Sequence, residues 1–355
     1  MIGEQGQAAS SVSADEATIV RPSGMRPLLM GCDALAALRA LGVRLDPTAP
    51  LGRLIREAPD AVRNLYEAQI EAGVDVLCAL TWGTTPRALA PIGMAFRAAA
   101  LTGVAVDLAL EATATVSRRV AVAGVLGRFP ANVSGPEADR VAEDYATHAT
   151  RMSAAGCEIL MACGFDAASP VPAGLARMAR RAAVDSANAT QLATWVHLEL
   201  TPGSCTADGE KLEDAVQVAI DGGVDSIVLD VDSSTLGLGA LSRLKKTKFD
   251  GQIGFSLGAS AGAALQQERA AAAGPEGQAS REEHGGQEHQ AEGASGEDAP
   301  GVMSDVDAWV AAAMRLIDAG ARIVGGGAGT TVEHLASLSK VLREARRVPA
   351  WRRTV

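Results

Sequence analysis

The sequence predicts an α/β fold in which eight short strands each lead into helical sequence. Three observations carry that expectation. The strands are continuous apolar runs without alternation, as in Val74–Leu80 (VDVLCAL), which is how strands buried on both faces read. Glycine closes helix after helix just before a strand, at Gly73, Gly156, Gly222-Gly223 and Gly320, the pattern of short connections with a C-cap glycine. Last, Arg322-Ile323-Val324 runs straight into Gly325-Gly326-Gly327-Ala328-Gly329 and then a helix. Its Thr330 and Glu333 have the spacing of a capping box.

In order, a Ser/Ala/Gly-rich polar tail is expected over 1–24, then a strand at Pro27–Gly31 and a helix from Asp33 to Leu41. Pro59-Asp60 opens a helix whose Val62, Leu65, Tyr66, Gln69 and Ile70 fall mostly on one face, followed by the strand at 74–80. The cycle repeats as helical sequence over 86–117, strand 119–126, helix 137–155, strand 158–162, helix 172–187, strand 191–200, helix 209–221 and strand 225–231. A short helix over 234–245, strand 251–257, helix 304–319, strand 322–324 and a helix reaching about 345 complete it. Eight such units make a (β/α)8 TIM barrel the economical architecture, with a doubly wound open sheet as the alternative. One segment falls outside the cycle. Residues 261–302 are low in complexity and hold six of the ten net negative charges, so a disordered acidic insertion is expected after the seventh strand. Its His284 and His289 read as solvated linker residues. Residues 346–355 form a basic C-terminal tail, whose arginines read as a solvated helix end or, alternatively, a contact element.

Bulk properties exclude several functions. A net charge of −10 opposes a nucleic-acid surface, and four Trp, two Tyr and five Phe are too few for a base-stacking platform. No charge-free apolar run of about 18 residues suggests a membrane span, and the first residues lack a signal-peptide pattern. The five scattered cysteines read as reduced thiols, so a cytoplasmic protein acting on a small molecule is expected. Nothing in the sequence speaks to oligomeric state.

Candidate site residues gather at strand ends. His197 and Glu199 share a face of the fifth strand by its two-residue period, Asp230 and Asp232 do so on the sixth, and Cys163 ends the fourth. Buried carboxylates need partners, so these residues form either a mouth cluster for metal or acid–base chemistry, or polar side chains bonded to loops. The loop Gly325, Gly326, Gly327, Ala328, Gly329, Thr330 could offer backbone N–H groups to a phosphate or carboxylate. The competing reading is a tight turn that binds nothing.

Four stretches resemble the homocysteine S-methyltransferases. Residues 58–77 resemble that family's P-x-x-V helix and second strand, and Thr81-Trp82-Gly83 the tail of its T-N-T-F-G loop. Tyr145–Met161 is similar to its Y-x-x-Q-A…A-G-V-D-L-L segment. Gly320–Gly326 with Gly329-Thr330-Thr331 and Glu333-His334-Leu335 closely resembles G-A-R-I-I-G-G-C-C-G-T-T-P-E-H-I. The resemblance implies a barrel, methyl transfer to a thiol acceptor, and a zinc ion held by three cysteines. A ligand is expected at the C-terminal mouth against Thr81, Trp82, Cys163, His197, Asp230 and the 325–330 loop. The ligand positions, however, read Val231, Gly327 and Ala328. The family's Asn before that Trp is Leu80, its acidic residue after the fourth strand is Cys163-Gly164, and its opening Asp has no counterpart around Leu28–Met30. None of the three ligand-position residues can ligate a metal, so zinc-dependent catalysis at the usual site is not expected. A zinc-free binder of an anionic ligand and a non-catalytic regulatory barrel remain as alternatives.

Overall fold

The computed structural model describes residues 26–127, 136–163, 173–203, 205–207, 209–272 and 305–347, so the expected N-terminal tail, most of the expected insertion and residues 348–355 of the expected C-terminal tail lie outside the described residues, while 346–347 belong to the last helix. Nine strands are described: β1 (Leu28–Leu29), β2 (Val76–Ala79), β3 (Ala121–Leu126), β4 (Ile159–Ala162), β5 (Ala193–Thr201), β6 (Cys205–Thr206), β7 (Ser226–Val231), β8 (Gln252–Leu257) and β9 (Ile323–Gly326). Eight of them are parallel, in the order β1-β9-β8-β7-β5-β4-β3-β2, while β6 folds back antiparallel on β5. A parallel bridge between Met30 and Val76 closes the ring, with Gly31 N–H donating to Val76 O at 3.1 Å and Asp75 N–H to Leu29 O at 2.7 Å. That closure selects the barrel over the open sheet.

Alternate residues of each strand serve two cores. Leu28, Met30, Val76, Ala123, Ile159, Met161, Trp195, Val228 and Ile323 fill the barrel interior. Their neighbours Leu29, Leu77, Val122, Leu160, Val196, Ile227, Phe255 and Val324 point outward against the helices. This double burial is why the strands show no alternation.

Acidic residues at strand starts stitch the bottom of the ring. Asp75 is buried, accepts the Leu29 N–H at 2.9 Å, and pairs with Arg26 through Nη1 at 2.6 Å. Asp225 repeats the device, accepting the Thr194 N–H at 2.8 Å.

Several expectations are corrected. The insertion does not begin at 261, because Ser260–Ala272 is a helix packed on the helix Asp305–Asp318. Small residues permit the approach: a Cβ on Gly262 would lie 2.8 Å from Asp305 O. Leu265 is buried and Glu268 takes a hydrogen bond from Arg315 at 2.8 Å. Composition hid this helix because Ala and Gln look alike in a linker and in a helix whose partner is remote in sequence. Helical sequence over 86–117 is interrupted, running as Pro86–Leu89, two 3-10 turns and then Ala98–Thr113. Pro91 lacks an N–H and Gly93 adopts φ 67°, which together break it. A helix at Pro50–Glu57 fills a stretch with no sequence expectation. The last helix starts at Val332, and its capping box is shifted by one residue: Thr331 N–H donates to His334 Nδ1 at 3.2 Å, so His334 takes the role expected of Glu333. No described helix is long and apolar enough to cross a membrane.

Asp75→Ala strands the Leu29 N–H and the Arg26 charge at the ring's closure, and is expected to lower the unfolding free energy by about 3 kcal/mol. Urea denaturation checks this, and a change within about 0.5 kcal/mol would refute the assigned role. Acid lability has a named source in His148, which is buried with Nε2 3.0 Å from Thr81 O and whose pKa burial pushes down to about 4. The unfolded chain protonates that imidazole near pH 6.5 while the folded chain refuses the proton until about pH 4. Stability is therefore lost as pH falls through that window, by up to about 3 kcal/mol from this group. His148→Gln should flatten the dependence of the denaturation midpoint on pH between those limits.

Candidate functional site

A cavity of about 590 Å³ opens at the C-terminal end of the barrel strands. Every strand that reaches it contributes by parity. Trp195 sits in the interior core, so His197 and Glu199, two and four residues further along β5, emerge at the mouth. Val228 places Asp230 there in the same way, and Met161 places Cys163. In register, Glu199 faces Asp230 across the β5–β7 pair. The His197 Nε2 lies 3.8 Å from Asp230 Oδ2, and its Nδ1 is sealed from solvent.

Of the residues expected at the site, Trp82, Cys163, His197, Glu199, Asp230, Gly326, Gly327 and Ala328 line the cavity. The others do not. Thr81 is fully buried beneath it, where its hydroxyl accepts the Val125 N–H at 2.8 Å and donates to Val125 O at 3.0 Å, so it orients the backbone that presents Trp82. Asp232 is exposed outside the mouth and accepts from Ser260 Oγ at 3.4 Å. Gly325 packs against Met30, just after β1, with a Cβ position 2.7 Å from the methionine methyl. Gly329 serves the turn at φ 77°, and buried Thr330 donates its hydroxyl to Gly327 O at 2.6 Å. Val231 points outward into the helix-facing core, so the side chain that β7 offers to the mouth is Asp230.

Sequence reasoning missed Cys32, Asp33 and Cys78, all of which line the cavity. The available signal was again parity: Cys32 follows the interior Met30 by two residues, and Cys78 follows Val76. Asp33 has structural duties. It caps the helix Ala34–Ala40 by accepting from Leu35 N at 2.9 Å, and accepts the Gly329 N–H at 3.0 Å through its other oxygen. Burial, then the neighbouring Asp33 charge, pushes the Cys32 thiol up to about 12. Burial, then Cys163 and Cys32, does the same for Cys78, up to about 12. Both are therefore neutral thiols at physiological pH.

Several N–H groups of the glycine loop are engaged within the protein. Gly326 N–H donates to Gly31 O at 3.0 Å, Gly327 N–H to Leu257 O at 2.9 Å, and Thr330 N–H to Gly327 O at 3.1 Å. With Gly329 held by Asp33, these donors are engaged within the protein, and the carboxylates of Asp33, Glu199 and Asp230 would repel an anion.

The residues likewise do not fit a cysteine-held zinc. Gly327 and Ala328 offer no donor. A Cβ on Gly327 would lie only 2.8 Å from Asp230 Oδ1, 3.0 Å from Gly258 N and 3.1 Å from Leu257 C. The Asp230 carboxylate thus takes the space into which a side chain at 327 would grow. Among the described residues, no group of three or more His, Cys, Asp or Glu is disposed to hold a metal ion.

The homocysteine S-methyltransferase family model matches residues 35–342. No curated protein sequence matches the chain. Among solved structures, the homocysteine methyltransferase MmuM from Escherichia coli in its metallated form is similar at TM-score 0.65 and 17% identity, over 90% of this chain and 97% of that one. Its oxidised form matches at TM-score 0.65 and 16% identity, over 91% and 97%. A methyltransferase from Methanosarcina mazei is similar at TM-score 0.52 and 13% identity, over 92% and 95%. At these identities the structural likeness speaks for the fold, and the family model supplies the membership. With that model matched over most of its length, and with its closed barrel, the chain belongs to the homocysteine S-methyltransferase family.

Proposed function

We propose that the chain transfers a methyl group to a small thiol acceptor at the barrel mouth, without a zinc ion held by cysteines. Family membership and the barrel support methyl transfer to a thiol. The observation that carries the zinc-independent part is the exchange at β7 and β9: donor-less Gly327 and Ala328, with the Asp230 carboxylate packed into the space beside Gly327. A mouth lined by Asp33, Glu199 and Asp230 has a negative potential, which favours a cationic methyl donor over a neutral or anionic one. Trp82 adds an aromatic surface on which such a cation can rest.

Two measurements test this reading. Tag-free protein is expected to carry no stoichiometric zinc by mass spectrometry, and to methylate L-homocysteine from a methylsulfonium donor at a rate that EDTA leaves unchanged. About one tightly held zinc per chain with EDTA-sensitive turnover would overturn zinc independence, and no turnover from any onium donor would point to a non-catalytic barrel. The packing exchange is tested separately. Gly327→Ala is expected to cost about 1–3 kcal/mol by overpacking against Asp230 and the Gly258 backbone. Adding Asp230→Gly should recover part of that loss, a coupling of about 0.5–3 kcal/mol in a double-mutant cycle, and strict additivity would show that the two positions do not compete for space.

A further inference from the structure

We propose that His197, paired with Asp230, is the base that deprotonates the thiol acceptor. This inference rests on the reading of the chain as a zinc-independent methyltransferase. A thiol entering the cavity meets surroundings like those that keep Cys32 and Cys78 neutral, namely burial, with the Asp33 charge added at Cys32 and the neighbouring thiols at Cys78. Those surroundings disfavour a thiolate, and the thiolate is the nucleophile that methyl transfer requires. Some group in the cavity must therefore take the proton as the reaction proceeds.

Among the described residues that line the cavity, His197 is the one imidazole. Carboxylates are poorer bases toward a thiol by two or more pKa units, so an imidazole is the better match. Its placement suits the task. His197 rises from β5 one layer above Trp195, its Nδ1 is buried, and its Nε2 edge is turned toward Asp230 Oδ2 at 3.8 Å. A proton taken at Nε2 converts that approach into an imidazolium–carboxylate ion pair in a partly desolvated site. Glu199, Cys163, Asp33, Cys32 and Cys78 share the cavity with this pair. Asp230 thus acts as a positioning residue, and its packing beside Gly327 fixes it in place.

The step balances. The acceptor S–H proton moves to Nε2 as the sulfur lone pair attacks the methyl carbon of a methylsulfonium donor. The new S–CH3 bond forms, the donor's C–S bond breaks with its electron pair going to the donor sulfur, and a neutral thioether leaves. The imidazolium then returns its proton to solvent.

The test uses full-length protein with S-methylmethionine as donor, and compares L-homocysteine with L-selenohomocysteine as acceptors at neutral pH. A selenol is already ionised there and needs no base. His197→Gln is expected to slow transfer to homocysteine by about 100-fold or more, with donor KM little changed, while transfer to selenohomocysteine stays near the wild-type rate. Asp230→Asn, which leaves the imidazolium without its counter-charge, should show the same acceptor-dependent pattern more weakly, and provides the comparison if His197→Gln does not fold. Equal losses on both acceptors, or no loss on homocysteine, would overturn the assignment while leaving the methyltransferase reading intact. Absence of transfer by the wild-type protein to either acceptor would overturn both.

Discussion

The ring of parallel strands depends on its seam. β1 is two residues long and meets β2 through a single bridge, so few ladder bonds hold the first strand to the second. Asp75 strengthens the junction in three ways: its carboxylate takes the Leu29 N–H, its own N–H donates to Leu29 O, and its charge is met by Arg26. Without closure the interior residues would lose the opposite wall against which they pack, and the strand ends would no longer converge on one cavity. The same acidic stitch at Asp225 shows a general use of the residue that follows a C-cap glycine and a valine, as in Gly73-Val74-Asp75 and Gly223-Val224-Asp225. One short sequence pattern ends a helix, starts a strand and ties that strand to its neighbour.

At the other end of the barrel, the mouth is defined by an exchange between two strands. Just after β9, Gly327 and Ala328 offer no metal donor, and the Asp230 carboxylate of β7 occupies the space beside Gly327. On the proposed zinc-independent reading, this arrangement changes the kind of help a thiol acceptor can receive. A metal lowers the acceptor's pKa by direct bonding, whereas an imidazole with a counter-ion receives the proton only as the sulfur reacts. The first stabilises a thiolate in the ground state and the second acts on the transition state.

Much of this was legible in the sequence because it follows from local periodicity. Eight apolar runs, C-cap glycines and the Gly320–Thr331 segment lead to the barrel, and the two-residue period puts His197, Glu199 and Asp230 at the mouth. Less legible was anything decided by partners distant in the chain. Helix 260–272 exists because Gly262 and Leu265 meet the helix 305–318, a contact that composition cannot show. Cys32 and Cys78 reach the cavity through strand parity, but a non-alternating strand conceals which parity faces in. The glycine loop shows the same limit: the partners of the Gly326, Gly327 and Gly329 N–H groups are Gly31, Leu257 and Asp33 from other units, which local sequence does not reveal.

The two neutral thiols at the mouth have a consequence for durability. On the proposed reading, an electrophilic methyl donor would share this cavity with Cys32 and Cys78, either of which as a thiolate could be alkylated in place of the acceptor. With burial pushing both thiols far above neutral pH, the thiolate form of each is scarce. Burial, joined at Cys32 by the Asp33 charge, thus disfavours the reactive thiolate form of these two cysteines. A cavity that must hold an alkylating agent beside cysteines can tolerate them for many turnovers only while they keep their protons.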